Sequence, residues 1–104
     1  MNDQASEPAI RNNEDESRFE VYIDGRLGEL VYRRRAGRLV LVHAEVPAAL
    51  EGQGIGGRLV VAAVDLAARE GLTVIPSCPF AHEWLVRHPD IASRATIDWG
   101  TGPS

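Results

Sequence analysis

Four glycines fall within six residues in Glu51-Gly52-Gln53-Gly54-Ile55-Gly56-Gly57-Arg58-Leu59, between an apolar strand-like run and a long apolar helix-like one. Glycines let a backbone approach a ligand closely and adopt positive φ. The first N–H groups of a following helix have no intrahelical partner and carry the positive end of its dipole. Together they form a cradle for an oxygen-rich anion such as a diphosphate, held by the backbone from Gly52 to Arg58. Two familiar phosphate loops do not fit. A Lys-Ser/Thr pair would have to follow the last glycine, where Gly57-Arg58 stand, and the spacing of a dinucleotide fingerprint is absent. A tight strand-to-helix connection without a ligand is the competing account of the same glycines.

Three more residues could do acid–base or nucleophilic work. Cys78 precedes Pro79, a residue suited to the first helical position, so Cys78 is expected at the N-cap, where the dipole favours a thiolate. A lone cysteine is also commonly a small buried apolar residue. His43 and Glu45 share a strand face by the period of two, with Ala44 turned the other way, and either could take a proton from an ammonium. Read blandly, they are a half-buried strand histidine and a solvated charge. His82, Glu83 and His88 have equally plain explanations at helix ends, and Phe80 with Trp84 reads as core.

The elements that position these groups are legible in outline. Residues 1–17 are polar and acidic without periodicity and are expected to form a flexible tail, leaving one compact domain over 18–104. Phe19–Ile23 alternates and leads into Asp24-Gly25, a hairpin signal. A second strand is expected over Leu27–Tyr32, followed by an Arg-rich turn through Arg33-Arg34-Arg35 to Gly37. A third covers Leu39–Val46, stopped by Pro47. The helical pattern then runs from Arg58 to Glu70 with Gly71 as its stop. A strand over Leu72–Ile75 and a helix from Pro79 to His88 follow, with Ile97 and Trp99 free to dock. The fold class is α+β, a mostly antiparallel sheet with helices on one face.

Composition narrows the function classes. The 104 residues include 44% hydrophobic and 25% charged side chains, with a net charge of −4. Nucleic-acid binding would call for a basic surplus, and no apolar run is long enough to span a bilayer. A single cysteine suits a reducing cytoplasm. One cysteine and three scattered histidines show no metal-ligand spacing along the chain, so no metal is expected.

The glycine loop resembles the acetyl-CoA loop of the GNAT acetyltransferases, written Arg/Gln-x-x-Gly-x-Gly/Ala, with Gly54 and Gly56 at the matching glycines and Glu51 where a basic or amide residue is usual. Glu51 is therefore expected to point to solvent. The chain is more narrowly similar to a group of very small GNAT-like proteins named for a characteristic Cys and Gly. That similarity is carried by His43-Ala44-Glu45-Val46-Pro47, Pro76-Ser77-Cys78-Pro79-Phe80 and Trp84-Leu85-Val86-Arg87-His88-Pro89, and covers roughly Phe19 to Asp90. It implies a GNAT-like fold, acetyl-CoA as cosubstrate and an amine acceptor, with a protein lysine or a small polyamine as examples. The diphosphate would lie on Gln53 to Gly57, the pantetheine arm along main chain splayed near Val46, and Cys78 would meet the acetyl group as nucleophile or proton shuttle. Direct transfer with His43 or Glu45 as base is the other route. The N-terminal helices usual in GNAT enzymes are missing at this length. That leaves room for a non-catalytic acetyl-CoA/CoA-binding sensor or interaction module, or for an open site taking a large acceptor, in a monomer or weak homodimer.

Overall fold

The computed structural model describes residues 9–100. A hairpin built at Asp24 and Gly25, both at positive φ, joins β2 (Arg18–Ile23) to β3 (Arg26–Arg35). A second turn at Ala36-Gly37 leads into β4 (Arg38–Glu45), again antiparallel. The arginine run lies inside β3 and is not a turn. Its length is fixed by cross-strand partners, Arg34 facing Leu39 and reaching Glu70 at 2.7 Å. After a 3₁₀ turn at Ala48–Leu50 come α1 (Ile55–Glu70), β5 (Thr73–Pro76), α2 (Pro79–Arg87), α3 (Pro89–Ala92) and β6 (Thr96–Ile97). Pro89 ends α2, as expected, and also starts α3. Both β4–β5 and β5–β6 are parallel, and the sheet follows chain order from β1 (Arg11–Asn13) to β6.

Two edge strands depart from the sequence reading. β6 gives Ile97 its docking place, paired to Val74. β1 (Arg11–Asn13) lies within the stretch expected to be a flexible tail; residues 1–8 of that stretch are outside the described part. Its order comes from partners the local sequence does not reveal. Asn12 accepts a hydrogen bond from the buried Tyr32 hydroxyl at 2.7 Å, and Asn13 donates to Glu20 at 3.3 Å. Glu20 is almost fully buried and bound by Arg18 Nε at 2.8 Å, with Arg11 nearby.

One face of the sheet carries Phe19, Val21, Leu30, Tyr32, Leu39, Leu41 and Val74 into a single core with α1, α2 and α3. Alternate residues Val31, Val40, Val42 and Ile75 stay half-buried on the opposite face, so the helices cover one side as the pattern implied. Helix α1 begins at Ile55, three residues before the expected start, because Gly56 and Gly57 are helical and buried. A Cβ on Gly56 would come within 2.6 Å of the Phe80 ring, and one on Gly57 within 2.6 Å of Trp84 Nε1. Only glycine lets α2 lie this close to the first turn of α1.

Two stability predictions follow from this packing. Helix-interior Gly→Ala ordinarily stabilises by roughly 1 kcal/mol. Gly57→Ala should instead lower unfolding free energy by about 1–2 kcal/mol through overpacking against Trp84, measured by denaturant midpoint; a gain would mean that α2 yields freely. For Glu20, the Arg18 hydrogen bond outweighs burial and holds the carboxyl below its ordinary 4.5. That stabilisation is present above pH 4.5 and is lost as pH falls through the depressed folded value. Glu20→Gln should cost about 1–3 kcal/mol at neutral pH and flatten the acid limb of a Tm–pH profile. An unchanged acid limb would remove this account.

Candidate active site

The site starts from a break in pairing. β4 follows β3 along its length, but β5 only from Arg38 to Leu41, where Leu41 faces Pro76. Beyond that point β5 turns away, and the Cys78 N–H closes the vertex by donating to the Leu41 carbonyl at 2.9 Å. At the same level β4 has one residue more than β3. Val31 faces His43 and the next residue, Tyr32, faces Leu41, so Val42 is a bulge. The extra residue reverses the facing of the strand beyond it. Ala44 pairs with the buried Leu30 and joins the core side, while His43 and Glu45 share the opposite face. The period-two reading of those two side chains holds, and the bulge decides which side they take.

The arm of β4 that β5 leaves uncovered borders a cavity of about 520 Å³. Ala44, Glu45 and Val46 line it on one side and Phe80 and Trp84 of α2 on another; Leu50, Glu51, Gly52 and Gly54 to Gly57 complete it. Gly52 and Gly54 hold φ of 87° and 76°, the left-handed region that glycine enters without strain. Gly54 is the N-cap of α1, with no side-chain cap and no acidic residue in the first turn. The first intrahelical bond is Arg58 N–H to Gly54 C=O at 3.1 Å, leaving the N–H groups of Ile55, Gly56 and Gly57 ahead of it. An N-terminus without a capping side chain is suited to an anion that supplies the cap.

Of the residues singled out in the sequence, Val46, Gly52, Gly54, Ile55, Gly56 and Gly57 meet at this cavity, and Glu45 stands at its rim with an exposed side chain. Gln53 is exposed and Arg58 half-buried, and neither lines it. Glu51 is exposed at the border, consistent with a carboxylate turned to solvent. His43 Nε2 lies 3.4 Å from Glu45 Oε1, outside the lining. Cys78 is the N-cap of α2, as expected, but only 3% exposed and absent from the cavity wall. Its side chain makes no capping hydrogen bond.

Phe80 and Trp84, read from the sequence as core, are cavity residues. Phe80 is 43% exposed and Trp84 half-buried, its indole stacked on His88 with centroids 3.7 Å apart. The glycine pair opposite them was the available signal, since two adjacent helical glycines invite large rings. The cross-strand register also brings ligand atoms of Glu29, His43 and Glu45 within 4.8 Å of one another, a proximity that spacing along the chain did not suggest. Arg18 Nη1 already holds Glu29 there at 3.1 Å.

No described helix is long and apolar enough to cross a membrane. A family model described as GCN5-related N-acetyltransferase matches residues 18–94. Among solved structures, the NMR solution structure of a GCN5-like candidate N-acetyltransferase from Staphylococcus aureus superposes with a TM-score of 0.68 at 26% identity. The superposition covers 92% of this chain and 96% of that one. With the expected splayed sheet and glycine-led helix both in place, the chain belongs to the GCN5-related N-acetyltransferase family.

Proposed function

We propose that the cavity holds acetyl-CoA and that the protein moves the acetyl group to an amine. One observation carries this reading: a single cavity joins the uncovered arm of β4 to the uncapped N-terminus of α1. Backbone N–H groups from Gly54 to Gly57 face the diphosphate, and the arm through Ala44 to Val46 offers main-chain groups to the pantetheine amides as a neighbouring strand would. Gln53 and Arg58 stand outside the lining and take part only at its edge.

Transfer is direct. Glu45 at the rim accepts a proton from the acceptor ammonium, and His43, 3.4 Å away, passes it to solvent. The neutral nitrogen then attacks the thioester carbonyl, the C–S bond breaks, and CoA leaves as a thiolate that takes up the second proton, shed by the acylated nitrogen. Burial of Cys78 favours this route over an acetyl-cysteine. The acceptor is a primary amine on a protein lysine or a small polyamine, entering from the face that no described helix covers. A second reading, an acetyl-CoA sensor without turnover, draws on the exposure of His43 and Glu45, whose side chains are 58% and 69% exposed.

Calorimetric titration with acetyl-CoA and CoA tests the cradle. Gly54→Glu, whose Cβ would meet nothing within 4 Å but whose φ of 76° strains any side chain, should weaken binding by more than about 100-fold and far more than Gly54→Ala, which carries the same backbone strain without the charge, because like charges brought together cost several kcal/mol. Gly56 is a poorer probe, since any side chain there strikes Phe80. A folded Gly54→Glu variant of unchanged affinity would defeat the cradle. Turnover with an amine panel should survive Cys78→Ala within about threefold, while Glu45→Gln loses roughly 10²–10⁴-fold in kcat/KM and recovers at high pH, where the amine is already neutral. Intact mass after incubation with acetyl-CoA should show no added acetyl group. Acetylation abolished by Cys78→Ala would replace direct transfer with the thiol route.

A further inference from the structure

We propose that a second cavity holds the nucleoside end of acetyl-CoA, a role resting on the acetyl-CoA reading above. It measures about 540 Å³ and shares Gly54, Gly57 and Trp84 with the first. The two therefore meet at the first turn of α1 and diverge from it. The first continues to Ala44, Glu45 and Val46 on the β4 arm, while the second continues along α1 past Arg58 and Val61 to Asp65. CoA has the matching connectivity, since its diphosphate joins a pantetheine arm on one side to a 3′-phosphorylated adenosine on the other. With the diphosphate on the uncapped N-terminus and the pantetheine along β4, the adenosine leaves in another direction, and this cavity opens from the same turn.

The lining suits a nucleoside. Gly54, Gly57, Arg58, Val61, Ala62 and Asp65 follow the three-and-four spacing of a single helix face. Arg58 and Asp65 are what a solvated face calls for, but Val61 and Ala62 between them are apolar and left half-buried. Ile10, just before β1, adds a third half-buried apolar side chain. From α2 come Trp84 and His88, two rings stacked with centroids 3.7 Å apart and planes 9° from parallel. Apolar side chains beside flat aromatic rings hold a nucleobase without reading its hydrogen-bonding edge. Charge does not oppose the phosphates. Asp65 is met by Arg94 at 3.1 Å, and Arg58 follows Gly57 at the cradle end.

Calorimetry compares CoA with 4′-phosphopantetheine, which lacks the adenosine, on wild type and Ala62→Phe. Ala62 lines the second cavity and not the first, so the larger side chain fills one and spares the other. Ala62→Phe should weaken CoA by about tenfold or more and 4′-phosphopantetheine by less than about threefold. A folded variant that binds CoA as wild type does, or that loses both ligands equally, overturns the nucleoside site and leaves the acetyl-CoA reading standing. A second readout does not depend on that variant. Of the two tryptophans, Trp84 is isolated by Trp99→Phe. Adenosine 3′,5′-bisphosphate should change its emission saturably, at a concentration about tenfold or more below that needed with inorganic pyrophosphate. An equal response to the two, or none to the bisphosphate while CoA binds, overturns the site. Wild type that binds neither CoA nor 4′-phosphopantetheine overturns the acetyl-CoA reading, and the site with it.

Discussion

β4 is hydrogen-bonded to β3 along its length and to β5 over only its first half, and the site grows out of that inequality. A parallel neighbour that leaves early exposes backbone donors and acceptors on one edge of an interior strand, which is costly unless something else pairs with them. Two features make the departure abrupt. Pro76 closes β5 with a residue that offers no N–H, and the Val42 bulge bends β4 at the same level. The Cys78 N–H bond to Leu41 then pins the point of divergence. Beyond it the uncovered edge of β4 is a template for a ligand with amide groups of its own.

The second half of the site depends on this geometry through α2. Because the chain leaves the vertex directly into α2, that helix falls across the start of α1, and its two rings land on Gly56 and Gly57. These glycines thus serve packing, a requirement distinct from the backbone freedom that makes Gly52 and Gly54 necessary at positive φ. One run of four glycines answers two physical demands: its first pair turns the chain and presents N–H groups, and its second admits an aromatic wall. Strand, glycine loop and aromatic helix then enclose one cavity, with apolar surface toward α2 and backbone polar groups toward α1.

What could be read from the sequence was whatever local chemistry dictates. Asp24-Gly25, Gly54 and Gly71 announced their positive φ or stop positions, and the periodicity of β2, β4 and α1 survived nearly intact. Cys78 and Pro79 announced the start of α2. What stayed hidden depends on partners far along the chain. β1 has three residues and β6 two, and such strands exist only because an edge is there to receive them. Arg34 looked like a turn residue until Glu70 was placed beside it. The bulge carries no signature, since Val42 resembles any other residue of its strand. For Phe80 and Trp84 the pattern identified an apolar helix face correctly, but it could not say that an open cleft lies against that face.

Within the acetyl-transfer proposal, the position of Cys78 makes access, more than intrinsic reactivity, the ground for preferring direct transfer. For sulfur to attack a thioester it must approach the carbonyl carbon within about 3–3.5 Å in a suitable direction. Cys78 is fixed at both backbone ends, its N–H on Leu41 and its carbonyl receiving the His82 N–H at 2.9 Å. Its side chain turns into the core, so bringing the sulfur to the cleft would dismantle either the vertex or the first turn of α2. Both are needed to hold the cleft open. His43 and Glu45 carry no such constraint, being exposed on a strand whose backbone is already secured by β3. On the direct-transfer proposal, rotation about their own side-chain bonds is enough for both to serve an incoming amine, so proton transfer would proceed while the walls of the cleft stay in place.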